Sequence, residues 1–177
     1  MTAVMKGPRV MPVTGTDTGQ APATVRPAGP GDLGELGRMV GRCSAAAVRD
    51  RTHGGTRHAD LLDGIRSTLL GGSGTVLLAA EGRRAVGCLE LLRPSPGAPV
   101  AEMALLVEDA RQGTGIGTRL VAAVPGWARA AGVRDVHFSV EAGNGRARRL
   151  LRRLDAGRLR VRWEQGVVEG TWHVGGL

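Results

Sequence analysis

VAEMALLVEDARQGTGIGTRL, residues Val100–Leu120, is the stretch that decides the fold. Its opening run, Val100–Val107, is apolar but for Glu102 and is so at both parities, the pattern of a central strand covered on both faces. A turn with three glycines follows, and from Thr118 onward Leu120, Val121, Val124, Ala128 and Ala131 recur at helical spacing. The unit reads as strand, glycine-rich turn, helix. Successive amides at Gly113, Thr114, Gly115, Ile116 and Gly117 carry little bulk to fend off a ligand. They lead into a helix start, whose free N–H groups and dipole favour an anion. The expectation is a phosphate at this turn.

Several phosphate loops share this physics. A P-loop needs Gly-Lys-Ser/Thr, and Gly117 is followed by Thr118 with no lysine. A dinucleotide fingerprint needs G-x-G-x-x-G, whereas Gly113, Gly115 and Gly117 are spaced G-x-G-x-G, and about 60 residues after the loop are too few for a doubly wound sheet built outward from it. The run Gln112-Gly113-Thr114-Gly115-Ile116-Gly117 instead fits Gln/Arg-x-x-Gly-x-Gly/Ala and resembles the acyl-CoA loop of the GNAT N-acetyltransferase superfamily. AEMALLVEDARQGTGIGTRL is similar to the fourth strand, loop and third helix of that family. Asn144-x-x-Ala147-x-x-Leu150 matches the Asn-x-x-Ala-x-x-Leu of its next helix. The resemblance covers roughly residues 23–164, its specific motifs 102–154. It implies an α/β fold of the α+β kind, with a mixed, mostly antiparallel sheet of six to seven strands flanked by helices. The words RCS and RTHGG, within 42–55, are loosely similar to bacterial protein-lysine acetyltransferases.

The length, 177 residues, suits one domain with one core. Residues 1–21 hold Gly, Pro and Thr with no sustained period and read as a disordered tail, with the acyltransferase domain at 22–177. A strand is expected at Ala23–Pro27, then a helix from Pro30-Gly31-Asp32, helices over Ala45–Thr52 and His58–Leu70 separated by Gly54-Gly55, and strands Thr75–Ala80 and Arg84–Leu92 around a short turn. After the central unit come a helix kinked at Pro125, a strand Asp135–Glu141, a helix within Asn144–Leu154 and a closing hairpin, Gly157–Glu164 with Val167–Val174. Cys43 and Cys88 read as free buried thiols of a reducing compartment, hence a cytoplasmic protein, and no apolar run reaches membrane-spanning length. A net charge of +8 suits an anionic partner, and eight arginines stand between Glu141 and Arg162. With no tyrosine and one phenylalanine there is almost nothing to stack on bases, which counts against nucleic acid. No metal is expected, and a homodimer is left open.

Acyl transfer to an amine needs a base for the ammonium proton, a donor that polarises the thioester carbonyl and provision for the thiolate. Glu102 shares its strand face with Val100, Ala104 and Leu106, where an unpaired buried carboxylate costs several kcal/mol. Two readings follow: a fraying strand end that points to water, or a functional acid. The match Ala101-Glu102-x-Ala104 resembles lysine acetyltransferases in which this glutamate is the general base, directly or through water. Glu90 is the second candidate, although an edge strand with the side chain outward would explain it equally. The resemblance gives Leu105, Leu106 and Val107 a backbone role toward the pantetheine arm and thioester, and gives Gln112, Gly113, Thr114, Gly115, Ile116, Gly117 and Thr118 to the pyrophosphate. Asn144 reads as a helix cap, and by resemblance as a contact to the CoA arm as well. The family's tyrosine that protonates the leaving sulfur is here Leu151, with His137 and Ser139 as substitutes. The resemblance thus implies transfer of an acetyl group from acetyl-CoA to a protein lysine or small amine; Leu151 motivates the alternative of a catalytically silent acyl-CoA sensor.

Overall fold

A computed structural model of the chain describes residues 23–52 and 56–175; the expected tail at 1–21 and the Gly54-Gly55 break lie outside them. The strands are β1 (Thr24–Pro27), β2 (Gly74–Glu81), β3 (Arg84–Leu92), β4 (Val100–Val107), β5 (Asp135–Glu141), β6 (Leu159–Glu164) and β7 (Val167–His173). The helices are α1 (Leu33–Arg42), α2 (Ala45–Thr52), α3 (His58–Leu70), α4 (Ile116–Ala122), α5 (Val124–Ala131) and α6 (Gly145–Leu151). All seven strands form one sheet in the order β1-β2-β3-β4-β5-β7-β6. Every pairing is antiparallel except β4 with β5.

Local chemistry explains most boundaries. Ser44 starts α2, its hydroxyl accepting from Ala47 N–H at 3.1 Å, and Asn144 starts α6, its Oδ1 accepting from Ala147 N–H at 2.9 Å. The β6–β7 turn places Gln165 and Gly166 at φ 47° and 81°, the two positive values that a two-residue hairpin of matching twist requires. The expected kinked helix is instead two helices. Pro125 has no N–H to donate to Val121, and the break falls at Ala123, whose N–H turns back to Leu120 O at 3.2 Å. The helix also starts earlier than expected, at Ile116, directly from Gly115.

The two faces of the sheet pack differently along its length. Alternate residues Val76, Leu78, Ala80, Cys88 and Leu106 face Leu36, Met39, Val40, Val48, Leu61 and Ile65 of α1, α2 and α3. On the other face Leu77, Ala79, Leu89, Leu91, Ala101, Val136 and Phe138 meet Ile116, Leu120, Val124 and Ala128 of α4 and α5. Toward β5, β7 and β6 the first of these faces is open, with His137, Arg160, Arg162 and Glu169 exposed. A buried charge cluster fastens α1 to the sheet. Glu108, 1% exposed, accepts from Arg42 at 2.8 Å and Arg84 at 2.7 Å, while Arg42 also donates to Ala85 O at 2.7 Å. Both cysteines are free and buried, and burial pushes the thiols up, Cys43 to about 11 and Cys88 to about 12. Among the described residues no helix is long and apolar enough to cross a membrane.

Candidate active site

β4 and β5 pair at only three positions, Val100 with Asp135, Ala101 with Val136 and Glu102 with His137, and then diverge. On its other edge β4 stays paired with β3 through Val107. Glu108 N–H donates to Val86 O at 3.1 Å, so the even-numbered residues of β4 direct their backbone groups at β3. Met103, Leu105 and Val107 therefore direct theirs into the gap. Leu106 departs from the expectation for it: its N–H and C=O face β3, and its side chain is buried under the first helices. Leu105 and Val107 keep the backbone role open to them, except that Val107 O already accepts from Gln112 Nε2 at 3.1 Å. Gln112 thus shapes the turn with its side chain.

The gap opens into a cleft of about 550 Å³, lined by β4 from Glu102 to Val107, the turn at Gln112, Gly113, Gly115, Gly117 and Thr118, the C-terminal end of α2, and Asn144 and its following helix. Gly113 and Gly115 take φ of 82° and 91°, the left-handed region in which a side chain is strained. Thr114 closes the turn by donating to Arg111 O at 2.7 Å, and Arg111 is held by Glu81 at 2.9 Å. Thr118 accepts from Arg153 Nη1 at 3.2 Å, and Arg146 and Arg149 also line the cleft. The cleft thus combines main-chain groups, a helix start and arginines, the chemistry that holds phosphates on a long, thin molecule. Asp109 fixes the turn to α2, accepting from the Ser44 hydroxyl at 2.7 Å and its N–H at 2.8 Å, and these bonds hold its carboxyl below the usual range.

The two candidate carboxylates separate sharply. Glu90 does not stand on an edge strand and does not point outward. It is 3% exposed on β3, bonded to Arg51 and accepting from Thr68 Oγ1 at 2.9 Å. Glu102 is exposed at the last position where β4 pairs with β5, so the cost expected for a buried charge does not arise. A second cavity, of about 660 Å³, lies over the open sheet face, lined by Leu92, His137, Arg160, Arg162, Glu169 and Thr171 among others. Glu102, Phe138 and Ser139 line both cavities. A carboxylate and a hydroxyl thus stand at the junction of the two. Leu151 is buried in the core at 8% exposure and carries no acid to the cleft.

The Acetyltransferase (GNAT) family model matches residues 40–156. This chain belongs to the GNAT acetyltransferase family. The divergence of β4 from β5 and the glycine turn sit inside the GNAT match. Among solved structures, the GNAT domain of PAT from S. lividans superposes with a TM-score of 0.72 at 24% identity, covering 85% of this chain and 90% of that one. The yncA putative acetyltransferase of Salmonella typhimurium, solved with acetyl-CoA, gives 0.61 at 19% identity over 86% and 94%. A spermidine N-acetyltransferase from Vibrio cholerae, in complex with CoA and spermine, gives 0.62 at 13% identity over 85% and 94%. These likenesses establish the GNAT fold. No curated protein matches the sequence.

Sequence reasoning missed two features at the cleft. The Arg51–Glu90 pair joins residues 39 apart, which no local pattern announces. Asp109 was hidden because its partner, Ser44, reads as a complete helix cap by itself.

Proposed function

We propose that this protein is an acetyl-CoA-dependent N-acetyltransferase, its acyltransferase domain at 22–177, in which the amine acceptor attacks the thioester directly. The observation that carries the reading is the junction: one carboxylate, Glu102, lines both the phosphate-suited cleft and the open cavity. Gln112 to Thr118 and the arginines at 146, 149 and 153 would hold the phosphates, and the backbone of Met103 and Leu105 would pair with the pantetheine arm. Asn144 serves as the cap of α6 and reaches the cleft from there. Acetyl-CoA when bound supplies a thioester carbonyl open to attack. Glu102, directly or through water, takes the proton of an ammonium of pKa near 10.4, and an N–H from the widened edge of β4 donates to the carbonyl oxygen. With Leu151 in place of an acid, the sulfur leaves as thiolate, which a pKa near 8.5 permits.

Acetyl-CoA at one hundred times its Kd should stabilise the fold by about 2.7 kcal/mol in a thermal-shift titration. Gly115→Asp should abolish the shift. A Cβ there meets nothing within 4 Å, so the effect comes from the left-handed φ and from a carboxylate beside phosphate. Free-thiol release with a panel of amines completes the test. Buried Leu151 favours one second reading, a silent acyl-CoA sensor: a thermal shift with no thiol release from any amine would select it.

A further inference from the structure

The cavity over the open face of β4, β5, β7 and β6 carries two opposite charges, Glu102 and Arg160. Glu102 pairs in register with His137, His137 with Thr171 and Thr171 with Arg160, so the four side chains form one row across one face. Glu102 and Arg160 both line the cavity. Neither side chain has an ion-pair or hydrogen-bond partner among the described residues. The neighbouring charges are already engaged: Arg162 holds Glu164 at 3.3 Å and Glu169 at 3.4 Å, and Arg93 donates to Ala131 O at 3.0 Å. Three strand spacings separate the Cα atoms of Glu102 and Arg160, roughly 14 Å. Strand side chains stand roughly perpendicular to the sheet, so the two head groups keep about that separation, the span of a short chain of several bonds with a charge contact at each end.

Resting on the acetyltransferase reading above, we propose that the acceptor is a small amine that also carries an anion several bonds away, an ω-amino carboxylate or a compound of that charge pattern. Its amine meets Glu102 beside the cleft and its anion meets Arg160. A cavity of this volume suits a small molecule. A polyamine would set its second cation against Arg160, so the acceptor class differs from the spermine bound by the Vibrio cholerae neighbour.

The test uses three acceptors of matched length, 6-aminohexanoate, pentylamine and cadaverine, on the full chain with acetyl-CoA, reading kcat/KM by thiol release. In parallel, each is titrated onto the CoA-saturated protein by calorimetry. The expected result is 6-aminohexanoate ahead of pentylamine by about tenfold to a hundredfold, the range of a charge-assisted hydrogen bond, with cadaverine last. Arg160→Glu should invert the order of 6-aminohexanoate and cadaverine, and Arg160→Lys should keep it. Equal use of pentylamine or cadaverine, equal use of a lysine peptide without an acidic residue, or an order unmoved in Arg160→Glu would overturn the proposal. The calorimetric order tests the charge pattern even without turnover. Binding preference without thiol release would sustain this inference and sink the transferase reading.

Discussion

Glu90 and Glu102 stand on neighbouring strands and on the same face of the sheet, yet they belong to different halves of the molecule. Glu90 lies where α1, α2 and α3 cover the sheet; it is almost fully buried and is bonded by Arg51 and Thr68. Glu102 lies where that cover ends, exposed and unpaired, at the last position where β4 and β5 are joined. A charge inside the covered half must be neutralised to be tolerated, whereas one at the uncovered boundary remains available to a ligand. Cover, rather than residue type, separates structural carboxylate from candidate base.

The largest effect should come from the uncovered half. Glu102→Gln keeps shape while removing the proton acceptor, so kcat should fall by about 10²–10⁴-fold with acetyl-CoA affinity changed by no more than about twofold. Raising pH should recover part of the loss as more acceptor arrives neutral; unchanged turnover would move the base elsewhere. In the covered half, Arg51→Leu strands a buried Glu90 carboxylate and should destabilise the fold by about 3–5 kcal/mol in urea melts, most of it regained when Glu90→Leu is added. A double variant as unstable as the single would mean that packing, not charge, matters there.

A smaller effect is expected behind the open face. A Cβ on Gly170 of β7 would lie 2.1 Å from the ring of Phe138, a residue of β5 that lines both cavities. Gly170→Ala should cost about 1–3 kcal/mol by overpacking and lower kcat/KM by displacing that ring. Stability and kcat/KM both unchanged would mean that the added Cβ is accommodated without displacing the ring. The smallest effect lies at the rim of the covered half, where Arg26 bonds Asp32 at 2.6 Å and holds its carboxyl at about 2 instead of 3.8. The contribution is complete above the unfolded value and lost as pH falls through about 2. As an exposed pair it should be under about 1 kcal/mol, and Asp32→Asn should flatten that acid limb of the stability curve.

The fold was legible where local pattern and tertiary demand agree. α2, α3, β3, β4 and β5 carry the boundaries that periodicity and turn residues imply. Pro125 was legible as a disturbance but not in its degree, since whether proline bends or splits a helix depends on what packs beneath it. The site was half legible. The glycine turn announces itself, while Glu90 and Glu102 look alike in sequence because burial at each is decided by helices distant along the chain. The direction of the Leu106 amide was not legible for a simpler reason: the edge to which a strand residue turns its amide follows from the pairing register, here marked by the hydrogen bond from Glu108 to Val86, which no composition reveals.

The divergence of β4 from β5 has a consequence for how this sequence can change. The groups that Met103 and Leu105 turn into the gap are main-chain groups, which every residue but proline supplies in full. What evolution must keep there is an apolar side chain packed against the core and the absence of proline, not any particular amino acid. In this sequence, with a single lysine and no tyrosine, much of the text could therefore change while the edge that would receive the ligand went on offering the same donors and acceptors.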